Sequence, residues 1–586
     1  MFSSNRLLTI AFLAALSVAG TFGAANGATC HGQPNCSLGT EPYTFGANDV
    51  FGGGSSGGAP WWRQISDCYA SPADLVIAGS PPTYVDTTLF DYAGRSSQDC
   101  ATTQINPGPT TWYISTGSGS GILGFFGHDP ESFWGPVNEA NGEIQYFPTV
   151  SYALSGAGLT RKIVDLYDQG TDGGNYCVSK GACIAIAAPD QVSCTSGSTN
   201  PYPNPLYCYG PIVQFPVSID PIAVFYTHGG VYEKISGAGK KEIDYGLNVQ
   251  NGTKNGGLRL SVSSLCAIYN GQITNWNDSR LTTDNDGVSL EDTNDPTPAA
   301  SWSVPLEAVG RGDASGATLA LTRHLAKVCG DYSYNLYKRA TMTLPFKGVP
   351  CAKPGLGSIV VAAGSMGVAT CVNFSESPEG EGNKCSAGTK LPAGYTDCIQ
   401  QARIGYIGAD YVLPYVSRNG MNSYGLFSAD VENVQGEFVA PSTNAASIAF
   451  EDAGLPPQTD AKGHYCRTCG TLKRKDPWDW NPQALLADPS KSGAYPIVGT
   501  TNFLGYSCYA SAGKVSNLVG QLNYVETAPI NTVGKGILDS SGVAALPKVW
   551  RKAIEQTFVS NGDALGLQMT TVGGSTICSA SGIIGA

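Results

Sequence analysis

The sequence predicts an α/β fold, and three observations carry that prediction. Short β-type runs alternate with short helical patterns along the chain, which is the element order of α/β proteins. Of the 586 residues, 42% are hydrophobic and 14% are charged, so the chain can bury a sizeable core and is not a disordered polyelectrolyte. Glycine supplies 74 residues without a collagen-type period, which predicts many turns and close backbone approaches.

The elements can be placed in order from local patterns. Runs rich in β-branched and aromatic residues predict strands at Ile212–Val217, Ile222–Tyr226 and Ile404–Ile407. Apolar residues at helical spacing predict a helix over Ser315–Val328. A second helix is predicted over Pro547–Phe558, with the proline at the first helical position, where no N–H is needed. Turn-rich and mostly Cys-bearing stretches are interpreted as insertions that decorate a smaller core, at about 66–110, 165–212, 228–257, 280–303, 372–402 and 415–490.

Charge and the N-terminal segment limit the functional classes. The chain has 34 basic and 46 acidic residues, a net charge of −12, which argues against a nucleic-acid binder. Residues 1–28 are typical of a secretory signal, because Arg6 is the only charge and small residues follow the apolar run Leu7–Ala19. That run is shorter than the about 18–20 residues of a membrane span, and no later stretch is long and apolar enough. We therefore expect a periplasmic or secreted protein, with no transmembrane segment after the signal is removed.

All 18 cysteines follow the signal segment, and an even number favours disulfides in an exported chain. Short loops suggest the pairs Cys177–Cys183 and Cys194–Cys208, whereas the other pairings stay open. Cys466 and Cys469, with His464 nearby, leave half a zinc site or a redox pair as alternatives. Because the sequence has no second motif of this kind, structural disulfides are the favoured interpretation, and no metal or other cofactor is predicted.

Three Gly/Ser-rich turns carry the candidate chemistry. They are Gly52–Pro60, Gly117–Gly121 and Gly310–Ala317, and each is placed to begin a helix. The N–H groups of a first helical turn are donors that can bind an anion, glycine lets the backbone come close, and serine adds hydroxyl donors. Arg311 adds a guanidinium suited to an oxyanion, and Asp313 can orient it. Each motif alone could be an ordinary turn of a Gly-rich chain, but the three together favour an anion site.

These turns resemble, in order, those of the phosphate-binding proteins of bacterial ABC transporters. The most specific match is Leu260–Asp278, which resembles the family signature Leu-x-x-x-x-Leu-x-x-Ile-(Phe/Tyr)-x-Gly-x-Ile-x-x-Trp-x-Asp, and Gln214–Ile219 resembles the crossover strand. The resemblance implies an α/β, two-lobed periplasmic-binding-protein (PBP) type II fold with discontinuous lobes and disulfide-tied insertions. After the signal segment 1–28, residues 29–220 and 496–586 would form lobe 1 and residues 221–495 would form lobe 2, with crossovers near Ser218–Ala223 and Pro496–Thr501 as the hinge.

The same resemblance implies a ligand set, residue by residue. Asp313 would hold Arg311 without touching the ligand. The family's ligand-facing Asp, which accepts the proton of a bound phosphate, falls at Gly156, and the nearest substitute acceptor is Ser155. The family's Thr in the third turn falls at Ala317, whose backbone N–H remains a donor. The implied ligand-binding residues are Ser56, Gly57, Ser118, Ser155, Arg311, Ser315, Gly316 and Ala317.

Three functions compete. The leading hypothesis is an exported solute-binding protein for an oxyanion, inorganic phosphate first, with an ABC permease as a candidate partner and no catalytic residue. The alternative is an extracellular interaction or structural protein that reuses the fold, because the insertions are large and Gly156 lacks a carboxylate. The third is an enzyme, since the strings Gly53–Gly57 and Gly54–Gly58 match the Gly-x-Ser-x-Gly elbow of serine hydrolases. The polar pair Asn48-Asp49 argues against the buried strand that an elbow requires, and His324 is expected to face solvent.

Overall fold

The computed structural model describes the core of the chain and a number of short strands around it. The predicted signal segment 1–28, the motif His464–Cys469 and most of the predicted insertions lie outside the described residues. Those described are 45–71, 76–78, 83–85, 106–133, 137–138, 143–144, 146–169, 175–179, 182–185, 194, 205–226, 230–233, 241–243, 257–287, 290, 306–330, 335–351, 359–373, 395–400, 403–412, 427–456, 476–526, 537–539, 541–562, 566–580 and 582–586.

One large mixed sheet organises the described residues, and with its flanking helices it confirms the predicted α/β class. In chain order, its strands are β1 (Val50–Gly54), β2 (Ala70–Ser71), β3 (Val76–Ala78), β4 (Thr83–Val85), β5 (Asn106–Ser115), β6 (Tyr152–Ser155), β7 (Ile212–Tyr226), β8 (Glu307–Arg311), β9 (Val349–Pro350), β10 (Val360–Ala362), β11 (Arg403–Gly408), β12 (Phe427–Ser428) and β13 (Val498–Tyr506). Their hydrogen-bonded order is β9-β10-β8-β11-β7-β13-β6-β1-β5-β3-β4, with β2 beside β5 and β12 beside β7.

Two parallel groups lie on either side of the long strands β7 and β13. Strands β5, β1 and β6 are parallel on one side, and β10, β8 and β11 are parallel on the other. Strand β7 pairs antiparallel with β13 from Ile212 to Pro221, and then with β11 from Ile222 to Tyr226. The two short runs predicted here are therefore one buried strand of 15 residues that passes from one group to the other. Ser218–Pro221 lies beside Val498–Thr501, where the hinge is predicted.

Helices follow several of these strands directly. Helix α7 (Gly316–Val328) begins after β8, where the Oγ of Ser315 accepts a hydrogen bond from the Ala317 N–H. The predicted C-terminal helix is also present, but Pro547 occupies the N-cap position, one residue before the first helical residue. The helices are α1 (Ala59–Tyr69), α2 (Ser118–Gly127), α3 (Arg161–Gln169), α4 (Pro205–Tyr209), α5 (Val262–Tyr269), α6 (Ser279–Asp284), α7 (Gly316–Val328), α8 (Gly364–Asn373), α9 (Thr443–Phe450), α10 (Ala512–Glu526) and α11 (Lys548–Ile554), and 3-10 or π turns cover Pro130–Ser132, Ala409–Tyr411, Pro477–Trp480, Pro482–Leu486, Glu555–Val559 and Ile577–Ser579.

Short accessory strands pair outside the main sheet. They are Val137–Asn138 with Glu143–Ile144, Asn175–Ser179 with Ala182–Ala185, Gly230–Glu233 with Lys241–Ile243 and Tyr395–Gln400, Asp430–Glu432 with Arg259–Leu260 and Phe438–Val439, and Cys508–Tyr509 with Thr570–Thr571.

Within the described residues, no helix is both long enough and apolar enough to cross a membrane.

Aromatic side chains fill the core beneath the sheet. Trp61, Trp62 and Trp276 are fully buried and belong to the core. Trp62 Nε1 donates to the Tyr152 hydroxyl at 3.0 Å, which in turn donates to the backbone carbonyl of Trp112 at 2.9 Å. The polar ends of Trp62 and Tyr152 are thus satisfied, whereas Trp61 Nε1 is buried without a hydrogen-bond partner among the described residues.

Disulfides tie both the periphery and the core. The suggested pair Cys194–Cys208 is present. Cys177 and Cys183 stand opposite each other in an antiparallel hairpin, where the other suggested pair would form. The sequence left further pairings open, and the described residues contain Cys266–Cys329, Cys351–Cys371 and Cys508–Cys578.

Candidate functional site

A cavity lies at the carboxyl ends of the parallel strands, where loops from both groups meet. Ligand sites of open α/β sheets form at such strand ends. Seven of the eight predicted ligand residues line it: Ser56, Gly57, Ser118, Arg311, Ser315, Gly316 and Ala317. Its wall also holds residues that sequence reasoning did not assign to ligand binding: Ser55, Gly156, Asp220, Ile222, Ser365, Gly408, Gly499 and Thr500.

The three predicted turns form the cavity because each connects a parallel strand to a helix. Strand β1 leads through Ser55 to α1, β5 leads through Gly117 to α2, and β8 leads to α7. Gly117 has a φ of +91°. A Cβ there would lie 2.8 Å from Asp313 Oδ2, so a larger residue would displace that carboxylate.

Arg311 is the cationic centre of the cavity, and only 3% of its surface is exposed. Its Nε donates to Asp313 Oδ1 at 2.8 Å and its Nη2 donates to Oδ2 at 2.5 Å, as a bidentate pair. Its Nη1 donates to Ser365 Oγ at 3.1 Å, and Ser365 Oγ lies 3.0 Å from Ser56 Oγ. Asp313 therefore holds the guanidinium in the predicted way, and Ser365 links it to the first turn.

The charges of this pair stabilise each other. Burial lowers the pKa of Arg311, but the charge and hydrogen bonds of Asp313 outweigh burial and hold that pKa above its usual value. Burial raises the pKa of Asp313, but Arg311 and the Gly364 N–H outweigh it and hold that pKa below its usual range. The site therefore combines a permanent cation with a carboxylate that offsets it.

Backbone and hydroxyl groups surround the guanidinium. Ser118 Oγ accepts from the Gly156 N–H at 3.0 Å and from the Gly316 N–H at 3.3 Å, which joins the second turn to the third. Ser315 Oγ accepts from the Ala317 N–H at 3.1 Å. Such N–H and O–H groups at a helix N-terminus, beside one arginine, are suited to the oxygens of an oxyanion.

Ser155 is the one predicted ligand residue that the structure does not place on the cavity wall. Its hydroxyl donates to the Ala157 carbonyl at 2.8 Å and accepts from the Ala157 N–H at 3.0 Å. This local turn directs the hydroxyl to its own backbone. The predicted substitute acceptor is therefore engaged within the turn after β6.

Gly156 is closely packed against the start of helix α7. A Cβ at Gly156 would lie 3.0 Å from Gly316 Cα and 3.4 Å from Ser118 Oγ. The cavity walls also bond directly, since the Gly119 N–H donates to the Ala314 carbonyl at 3.0 Å. A side chain at position 156 therefore requires the start of α7 to shift by a few tenths of an ångström.

The sequence argument against a hydrolase elbow was partly wrong. Strand β1, directly before Ser55, is fully buried even though Asn48-Asp49 precedes it. Asp49, directly before the strand, can be buried because its carboxylate accepts hydrogen bonds from the Gly46 N–H at 2.9 Å, the Thr110 N–H at 2.8 Å and Trp112 Nε1 at 3.0 Å.

The histidines of the described residues are engaged elsewhere. His128 Nε2 lies 2.8 Å from Thr149 Oγ1, and His324 Nδ1 lies 2.9 Å from the Ala487 carbonyl. The expectation that His324 faces solvent is wrong, because the segment around Pro482–Leu486 covers this face of α7 and leaves His324 only 1% exposed. Burial lowers the pKa of His324 to about 4, so it is neutral at pH 7.

The chain is similar in sequence to two known proteins. A phosphate-binding protein from an unknown prokaryotic organism is 24% identical over 334 residues, which cover 55% of this chain and 71% of that protein. A protein named alkaline phosphatase L, from Pseudomonas aeruginosa (strain UCBPP-PA14), is 22% identical over 408 residues, which cover 68% of this chain and 79% of the relative.

The fold is similar to that of a solved structure. The structure of a high-affinity periplasmic phosphate-binding protein (PfluDING), determined with phosphate at pH 8.5, is similar with a TM-score of 0.52 and 19% identity, over 92% of this chain and 99% of that one. Residues 209–514, just over half of the chain, match the PBP superfamily domain. The chain therefore belongs to the PBP superfamily, as the resemblance of its turns predicted.

Proposed function

We propose that this protein binds an oxyanion, with inorganic phosphate as the leading candidate, in the cavity between its two lobes. Residues 29–220 and 496–586 would form one lobe and residues 221–495 the other, with β7 and β13 as the connection. The parallel groups on either side of these two strands support this division.

One observation carries the proposal. Three turns, which lie between about position 55 and position 317 in the chain, contribute to one cavity wall with the buried Arg311 at its centre. The phosphate-binding relative and the structural neighbour, by their names, point to the same ligand class. Neutral donors and one locally balanced arginine can hold an anion in a chain of net charge −12.

We propose binding rather than catalysis, although one relative is named alkaline phosphatase L. Neither His128 nor His324, the histidines in the described part of the chain, contacts Ser55 or Ser56. An activated serine would need such a base. We further propose export, with an ABC permease as the partner that receives the ligand.

The test of this function is calorimetric titration of the oxidised mature chain with phosphate and then with sulfate, beside an assay with p-nitrophenyl phosphate. We expect one phosphate per chain and no turnover of the ester. Binding of neither anion would contradict the proposal and favour the extracellular interaction protein. Turnover that is lost in a Ser55→Ala or Ser56→Ala variant would favour the hydrolase.

Position 156 gives a steric prediction. Gly156→Asp should weaken phosphate binding by about 5- to 100-fold, because the new side chain must push α7 away and overpacking typically costs about 1–3 kcal/mol. Gly454→Asp is the matched control, since a Cβ there has open space around it and should leave affinity unchanged. Tighter phosphate binding by Gly156→Asp would show that the cavity accommodates the family's carboxylate after all.

A further inference from the structure

The cavity has a carboxylate on a different strand from the one that the family resemblance indicates. Asp220 lies on β7, lines the cavity and is only 9% exposed. It stands in the segment where β7 pairs with β13, opposite Gly499. The turn after β6, in contrast, offers only Gly156 and the locally engaged Ser155.

Two hydroxyls fix the orientation of the Asp220 carboxylate. Ser218 Oγ donates to its Oδ1 at 2.5 Å, and Thr501 Oγ1 donates to its Oδ2 at 2.5 Å. Each carboxylate oxygen has two acceptor directions, so one further hydrogen bond to each oxygen remains possible. Thr501 also lies against the first turn, since a Cβ on Gly58 would be 3.3 Å from its Oγ1.

Asp410 is a second buried carboxyl, next to glycines of the cavity wall. It is 2% exposed, and neither of its carboxyl oxygens accepts a hydrogen bond from another residue in the described part of the chain. Its Oδ1 is in contact with Gly408, and Gly408 in turn approaches Gly57; both glycines line the cavity. A buried polar group without a protein partner is costly, which is why such groups mark sites that another molecule completes.

Burial shifts the pKa of both carboxyls. Burial, followed by the charge of Asp220, raises the pKa of Asp410 well above its usual range. Burial also raises the pKa of Asp220, but the Ser218 and Thr501 hydroxyls lower it in part. The donated hydrogen bonds therefore favour the charged form of Asp220, whereas burial favours the neutral form of Asp410.

We infer that Asp220 is the specificity-determining carboxylate of this cavity, which accepts a hydrogen bond from a protonated oxyanion such as phosphate and repels a fully ionised one such as sulfate. This inference rests on the proposed function. The carboxylate that distinguishes a protonated anion from a fully ionised one thus comes from the crossover strand rather than from the turn after β6.

The test uses Asp220→Asn in the full oxidised chain, titrated by calorimetry with phosphate and with sulfate. We expect phosphate affinity to fall by about 10- to 100-fold, the effect of one buried hydrogen bond to a charged group, and sulfate binding to rise. Asp49→Asn is the matched control, since Asp49 is also buried and hydrogen-bonded but stands at the opposite end of β1. It should keep the wild-type preference for phosphate.

Each outcome separates the inference from the proposed function. An unchanged phosphate-to-sulfate ratio in Asp220→Asn overturns the inference while oxyanion binding stands. Equal wild-type binding of both anions does the same, whereas wild-type binding of neither overturns both. If Asp220→Asn does not fold, Ser218→Ala keeps the carboxylate but removes one of its donors. It should lower phosphate affinity about 3- to 10-fold, and an unchanged affinity contradicts the inference.

Discussion

Arg311→Ala should lower phosphate affinity by about 30- to 1000-fold, the largest binding effect we expect from any single substitution. Hydrogen bonds to charged groups contribute about 1.5–3 kcal/mol each, and this variant also removes the cation itself. It leaves Asp313 beside the cavity without the guanidinium that balances its charge, so the remaining carboxylate would repel the anion. Calorimetry of the variant and the wild type, at the same salt concentration and pH, measures the ratio.

A close control exists in the same chain. Arg280 makes the same fork with a carboxylate two residues away, through Nε to Asp278 Oδ1 at 2.8 Å and Nη2 to Oδ2 at 2.7 Å. Its side chain is 38% exposed and lies on α6, away from the cavity. Arg280→Ala should leave the affinity at its wild-type value. Equal phosphate binding by Arg311→Ala and Arg280→Ala would show that the ligand binds elsewhere.

Glu307→Ala should destabilise the fold by about 3–5 kcal/mol, because it removes the carboxylate partner of a fully buried arginine. Arg403 Nε donates to Glu307 Oε2 at 2.7 Å, and the side chains of Arg403 and Glu307 are 0% and 5% exposed. Arg403 Nη1 also donates to the Cys371 carbonyl at 2.8 Å, beside the Cys351–Cys371 disulfide. The pair thus joins β8, β11 and α8, at the start of the strand that ends in Arg311.

Urea unfolding at pH 7 measures this change. Asp165→Ala is the control, since the side chains of the Arg161–Asp165 pair on α3 are 75% and 40% exposed and such surface pairs contribute at most about 1 kcal/mol. A loss of less than about 1 kcal/mol for Glu307→Ala would mean that Arg403 finds a new partner or reaches water.

The turns of the site could be predicted because their chemistry is local. A Gly/Ser run after a strand places N–H and O–H groups at a helix start, which predicts an anion site, and the family resemblance then assigned Ser56, Ser118 and Ser315, which line one cavity. The pairing of Arg311 with Asp313 followed from their spacing of two residues.

The missed features depend on contacts between distant parts of the chain. Asp220 lies just beyond the run Gln214–Ile219 that resembles the crossover strand, and its carboxylate is held by Thr501 of β13, 281 positions later. His324 was misplaced for the same reason, since the residue that covers it, Ala487, is 163 positions away. Helical spacing alone cannot show that a second segment covers the polar face of a helix.

The central claim is that an oxyanion binds among the three turns, and a crystal structure of the mature protein with phosphate tests it most directly. We expect phosphate oxygens within hydrogen-bond distance of Arg311, the Gly316 and Ala317 N–H groups and the Asp220 carboxylate. Phosphate bound at another surface, with these groups bonded only to one another, would contradict the account.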